Sequence, residues 1–283
     1  MTTYYSDLAL EAAENLMDGK KSFSIPGVHT AQIWRDGYQM TDIVVNDNRG
    51  AEALGKPRGH YVTLDLRPYF RREQDFFQRA VRCLARELRQ MLPQKESVST
   101  LVVGLGNRSL AADSIGSIAI ENLLVTRHMA QSNSRFFQDF TAVSSVCPGV
   151  VASTGIETAE LVEAVATAVK PEAVICIDAL CARSQERLCA TVQLGNTGIV
   201  PGSGVGNHRE PLNQETMGIP VIAVGVPTVI NATTLSGKRN DSLFVTPGDI
   251  DSRARELGRI VGYSITLALQ QKLTIEDITG LLG

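Results

Sequence analysis

This sequence is short of charge of one sign, of long apolar runs and of paired cysteines, and each shortage narrows what the chain can be. With 27 Lys and Arg against 30 Asp and Glu, the net charge is only −3. No basic footprint for direct nucleic-acid binding results. No apolar run approaches the roughly 18–20 residues of a membrane helix, so no membrane partner is expected. The opening MTTYYSDLALEAAENLM lacks a basic leader followed by an apolar core, so no secretory signal is expected either. The five cysteines, Cys83, Cys147, Cys176, Cys181 and Cys189, are odd in number. That favours a reducing, cytoplasmic compartment over a disulfide framework. CxxC and HExxH spacings are missing, and neither a metal nor a cofactor is expected. Internal repeats, low-complexity tracts and linkers are missing too. Residues 1–283 therefore read as one globular domain, with 43% hydrophobic and 20% charged residues.

What is present is an alternation of β-type runs with helical periodicity. A short amphipathic helix is predicted over 5–17, with Ser6 as N-cap and Asp7 in its first turn. Residues 19–67 are β-rich. Runs at 28–34 and 39–45 flank the turn signal Asp36-Gly37, and 61–66 alternates like a further strand. Phe76, Phe77, Ala80, Val81, Leu84, Leu88 and Met91 recur at helical spacing over 73–91, and Pro93 ends the pattern. Beyond it, strands are predicted at 98–103, 140–146, 173–177, 188–194 and 219–224. Helices are predicted at 114–129, 157–169, 249–270 and 275–282. This order implies βαβ units. The expected fold is α/β, a mostly parallel sheet with helices on both faces, with the N-terminal β-rich stretch as edge strands or a flap.

Two strand ends deliver carboxylates. The first, in 101–116 (LVVGLGNRSLAADSIG), breaks at Gly104, Gly106 and Asn107 and leads to Asp113. It resembles the start of a dinucleotide fingerprint, but Ser109 stands where the third glycine belongs. Glycines there let backbone or substrate approach closely; the alternative is that Asp113 caps the following helix. The second, in 173–184 (AVICIDALCARS), places Asp178 after an apolar run. Burial there raises a carboxyl pKa, while Arg183 or Arg187 nearby would lower it. Asp178 is thus either an acid–base group or a salt-bridge partner. Two neighbouring carboxylates are natural acid–base partners because repulsion separates their proton affinities. Cys176 and Cys181 flank Asp178 and read as small buried hydrophobes rather than nucleophiles. The glycine-rich 197–209 (TGIVPGSGVGNHR) can present N–H groups to a carbonyl or anion. Its Ser203-Gly204 does not complete a GxSxG elbow. His208 is a candidate base or a surface histidine. Glu157 opens a helix, as a first-turn acid or a third site carboxylate.

Seven runs in collinear order then carry a resemblance. They are GHYVTL (59–64), VVGLGN (102–107), NLLVTRH (122–128), TGIETAE (154–160), IDALCARS (177–184), TGIVPGSGVGN (197–207) and GIPVIAVGVPTVINA (218–232). Together they make the chain similar to the germination protease, or spore protease, family of spore-forming Firmicutes. The resemblance implies an endopeptidase that degrades small acid-soluble spore proteins in the spore core. It implies an atypical aspartic type, with Asp113 and Asp178 as the catalytic pair. It further implies a zymogen that loses a short N-terminal propeptide, a homotetramer, and a fold similar to hydrogenase-maturation proteases.

Within the resemblance, Gly104, Gly106, Asn107, Glu157, Arg183, Ser203, Gly204 and His208 are substrate or oxyanion candidates. Arg187, Arg209 and Lys238 are further cations for an acidic substrate. The hexapeptide Ser6, Asp7, Leu8, Ala9, Leu10 and Glu11 resembles the family's processing site, which would make residues 1–10 the propeptide; the alternative is a helix N-terminus. The sequence departs from the family in a short connection between Asn231 and Val245, in Ala111-Ala112 where a threonine-proline pair is usual, and in Ser117 for proline. Two other functions stay open: a metal-assisted protease or amidase, and a relative that binds spore proteins without cutting them.

Overall fold

Strands buried on both faces need helices above and below them, and the apolar runs of this chain obtain both. A computed structural model describes residues 6–17, 25–132, 137–202, 209–233 and 243–283. In chain order the elements are α1 (Ala9–Met17), β1 (Val28–Arg35), β2 (Tyr38–Val45), α2 (Asn48–Leu54), β3 (Gly59–Asp65), α3 (Phe76–Met91), β4 (Thr100–Gly104), α4 (Ile115–Glu121) and α5 (Arg127–Ala130). There follow β5 (Val143–Val146), α6 (Val151–Thr154), α7 (Thr158–Val169), β6 (Ala173–Ala182), β7 (Thr191–Gly195) and α8 (Gln214–Met217). The last are β8 (Val221–Asn231), β9 (Phe244–Val245), α9 (Ile250–Leu269) and α10 (Ile275–Leu282).

The strands form one sheet in the order β1-β2-β3-β7-β8-β6-β4-β5, with β9 against β8. The parallel sheet expected from the alternation is the half made by β8, β6, β4 and β5. The rest is antiparallel, so the sheet as a whole is mixed. The N-terminal β-rich stretch is a set of edge strands, joined to the main sheet where β3 pairs with β7. Asp36 and Gly37 both have positive φ, 51° and 82°, which is the two-residue turn that matches strand twist.

The central strands β4 and β6 are buried nearly throughout. Their Val102, Ile175 and Ile177 face a core shared with α3, α4 and α9. Leu101, Val103, Val174 and Cys176 face the other side, toward Val162 of α7. This two-sided burial explains why the runs are apolar without alternation.

Several expected boundaries move: the strand predicted over 219–224 runs on to Asn231, those predicted from 140 and 188 begin at Val143 and Thr191, and tertiary contacts move two more. The helix predicted over 114–129 is cut into α4 and α5. Gly262 of α9 lies so close to the end of α4 that a Cβ there would sit 2.5 Å from the Ala119 carbonyl oxygen. The chain then leaves the helix and Leu124 N–H donates to Thr266 Oγ1 at 3.1 Å. The strand predicted to end at 177 continues to Ala182, because β8 runs beside it and satisfies its backbone. Asp178 therefore lies inside β6, opposite Gly225, rather than just beyond a strand end.

Candidate active site

Parallel pairing places the two carboxylates. Gly104 is in register with Ile177, and Leu105 N–H donates to the Ile177 carbonyl at 2.8 Å. The chain thus leaves β4 beside Asp178. It must then fold back sharply, and Gly106 permits this with φ 95°. A Cβ on Gly106 would collide with the Asp113 carbonyl and stand 2.7 Å from its Oδ1. Ala111–Asp113 forms a short 3-10 turn, with Asp113 N–H donating to Leu110 O at 2.8 Å. Asp113 and Asp178 line one cleft, together with Gly106, Pro201, Gly202 and Arg209.

The two carboxyls are not equivalent. Asp178 is 5% exposed. Burial and then the charge of Asp113 push its pKa well above the usual carboxylate range, and Asp7 adds to the push. Backbone N–H groups of Ala179, at 2.9 Å, and of Gly202 oppose the shift. Asp113 is half-buried; burial raises its pKa too, against one N–H from Asn107 at 2.7 Å. Of a shared pair, the more deeply buried member keeps the proton. Burial therefore favours the neutral form more strongly at Asp178 than at Asp113.

The other candidates divide. Asn107 N–H is engaged by Asp113 Oδ2, so it orients that carboxylate instead of facing an oxyanion. Gly104 is packed into the sheet, where a Cβ would lie 2.5 Å from Gly116 O; its smallness serves the approach of β4 to α4. Glu157 precedes α7 and pairs with Arg209 at 3.0 Å, at the cleft rim and not between the aspartates. Arg183 donates its backbone N–H to Glu11 Oε2 at 2.6 Å, and among the described residues no ion pair joins its guanidinium to Asp178. Arg187 is occupied by Glu11 and Glu14. Ser203, Gly204, His208 and Lys238 lie outside the described residues. Burial pushes the Cys181 thiol up to about 12 and raises Cys176 as well, which leaves neither as a thiolate nucleophile. Among the described residues no three His, Cys, Asp or Glu side chains gather to hold a metal ion.

The hexapeptide is docked rather than free. Asp7 N–H donates to Cys181 O at 3.0 Å, and Cys181 N–H returns a bond to Asp7 Oδ2 at 2.8 Å. Leu8 and Ala9 are completely buried. Glu11, also buried, accepts N–H bonds from Arg183 and Ser184, a guanidinium bond from Arg187 and the Ser6 hydroxyl. Lys56 Nζ caps the Asp7 carbonyl at 2.9 Å and Gln193 Oε1 accepts Ala9 N–H at 2.7 Å. The sequence reading had no signal for Lys56 or Gln193, since their role depends on the α2–β3 connection and β7 reaching this segment. Thr228 was missed as well: its buried hydroxyl donates to the carbonyl of Ala112, next to Asp113.

Two carboxyls of unequal burial, both with raised proton affinity, thus line one cleft of an α/β fold. The family model described as germination protease matches residues 6–279. The germination protease of Clostridium tetani is 34% identical over 320 aligned positions, covering 98% of this chain and 99% of the relative. That of Bacillus cytotoxicus is 37% identical, covering 96% and 76%. The chain belongs to the germination protease family and is a peptidase. An alignment of 320 positions exceeds the 283 residues here, so the Clostridium relative carries stretches without a counterpart in this chain. A NiFe hydrogenase maturation protease from Thermococcus kodakarensis superposes with a TM-score of 0.36 at 18% identity, over 63% of this chain and 98% of that one. No described helix is long and apolar enough to cross a membrane.

Proposed function

We propose that this peptidase is an atypical aspartic endopeptidase that starts the degradation of small acid-soluble spore proteins during germination, in the spore core. One observation carries the mechanism: Asp113 and Asp178 line one cleft, and the charge of Asp113 acts on the more buried Asp178. Asp113, ionised, takes a proton from water as the water oxygen attacks the scissile carbonyl. Asp178 gives its proton to the developing oxyanion; Asp113 then passes the water proton to the leaving nitrogen as the C–N bond breaks, and Asp178 takes a proton back from the tetrahedral hydroxyl as the carbonyl re-forms. The relatives' shared name supports the role in germination.

The chain is further proposed to assemble as a homotetramer and to be made as a zymogen, cut within residues 6–11. Because Leu8 and Ala9 are buried, that cut requires α1 to leave β6 first. The test is incubation with a purified small acid-soluble spore protein, followed by mass spectrometry of the substrate and of the enzyme's own N-terminus. Discrete internal fragments from the wild type, and none from Asp113→Asn, are expected. An intact substrate with wild-type enzyme whose N-terminus has been processed refutes the proposal.

A further inference from the structure

The 3-10 turn that carries Asp113 contains Ala111 and Ala112, two residues with no side-chain hydrogen-bonding group to fasten them. Ser114 Oγ donates to the Ala111 carbonyl at 2.9 Å, and something else must hold the Ala112 carbonyl. The ladder between β6 and β8 shows what does. Leu180 pairs with Pro227 and Cys181 pairs with Val229, so Thr228 is skipped. Thr228 is the extra residue of a β-bulge, and a bulge turns a side chain out of its regular alternation, a device common beside active sites. Here the turned side chain is completely buried and points across the sheet end. Its Oγ1 donates to the Ala112 carbonyl at 2.6 Å.

The bulge is itself braced. Thr246 Oγ1 donates to the Thr228 carbonyl at 2.8 Å, and Cys189 N–H donates to the Pro227 carbonyl at 2.7 Å. Pro227 has no N–H to contribute to the ladder, which favours an irregularity at this point. Thr228 therefore joins the strand next to Asp178 to the peptide unit that leads directly into Asp113. Asp178 is on β6, β6 is paired with β8, and β8 holds the Asp113 turn by one hydroxyl.

We infer that Thr228 is a positioning residue, which sets the spacing of the Asp113 and Asp178 carboxylates by anchoring the Ala112 carbonyl from a bulge in β8. This inference rests on the proposed aspartate-pair mechanism. A valine in its place keeps the shape and loses the donor, leaving a buried carbonyl without its partner. The turn then relaxes and Asp113 drifts from Asp178. A misplacement of about 1 Å costs a reaction of this kind on the order of a hundredfold. The drift also weakens the repulsion that holds the Asp178 proton.

The experiment compares Thr228→Val, Thr228→Ser and Thr266→Val with wild type on a spore-protein substrate, as the full chain, with melting curves for each. Thr266→Val removes another buried hydroxyl, one that bonds Gly262 O and Leu124 N–H and does not line the cleft. It controls for lost stability. Thr228→Val is expected to lower kcat about tenfold to a hundredfold with KM unchanged. The alkaline limb of its kcat/KM profile is expected to move to lower pH. Thr228→Ser restores both readouts, and Thr266→Val leaves both as in wild type. Wild-type kcat in a folded Thr228→Val, an equal loss in Thr228→Ser, or the same loss in Thr266→Val overturns the inference. If Thr228→Val does not fold, Thr228→Ala against Thr228→Ser decides, and equal kcat in the two refutes it. Activity that survives in Asp113→Asn instead refutes the aspartate pair, whatever Thr228 does.

Discussion

Asp178→Asn separates the chemical role of this side chain from its effect on stability. Asparagine keeps the shape and keeps an acceptor oxygen for the N–H groups of Ala179 and Gly202. It removes the proton that the proposed mechanism needs, and it removes a buried group that resists ionisation. Loss of a general acid slows such a reaction by about 10²–10⁴-fold, or about 3–5 kcal/mol of barrier. Stability moves the other way. The native pKa of Asp178 is raised above that of the unfolded chain, near 3.9 for a free aspartate. The native state thus binds this proton more tightly than the unfolded state. That contribution is complete below the unfolded pKa and is lost as pH rises through the native one. Each unit of separation is worth about 1.4 kcal/mol. Relative to wild type, the asparagine variant should gain stability steadily from about pH 4 upward and level off above the native pKa of Asp178. The assay is thermal unfolding of both proteins across that range, alongside kcat/KM. A stability difference that does not change with pH, or undiminished activity, refutes the assignment of the proton to Asp178.

Other perturbations test the scaffold. Gly106→Ala puts a side chain into the Asp113 carbonyl at φ 95°; it should cost about 1–3 kcal/mol in urea unfolding and lower kcat together. Glu11→Ala strips the acceptor from the N–H groups of Arg183 and Ser184 and from the Arg187 guanidinium. A loss of about 3–5 kcal/mol is expected in the same assay, and a loss near zero would show that α1 is not anchored through this carboxylate. Gly262→Ala should destabilise by about 1–3 kcal/mol, read as a lower melting temperature, because its Cβ meets the end of α4.

Much of the fold was legible because local signals and tertiary demands agree there. The helical spacing from Phe76 to Met91, the Asp36-Gly37 turn and the terminal helix over Ile275–Leu282 all formed as the pattern predicts. Departures occur where a distant strand or helix decides. The stop of α4 depends on Gly262, about 140 residues away in sequence, and the continuation of β6 depends on β8.

The sequence alone determined the α/β alternation, the family, and the two aspartates beside apolar runs. These are properties of residue type and spacing, and spacing survives without coordinates. Only the tertiary structure decided that Asn107 serves Asp113, that Arg187 is committed to Glu11 and Glu14, and that the hexapeptide is docked on β6. It also decided that a hydroxyl on a bulge holds the Asp113 turn. Hydrogen-bond partners and depth of burial arise when separate segments meet, and they set which carboxyl keeps its proton.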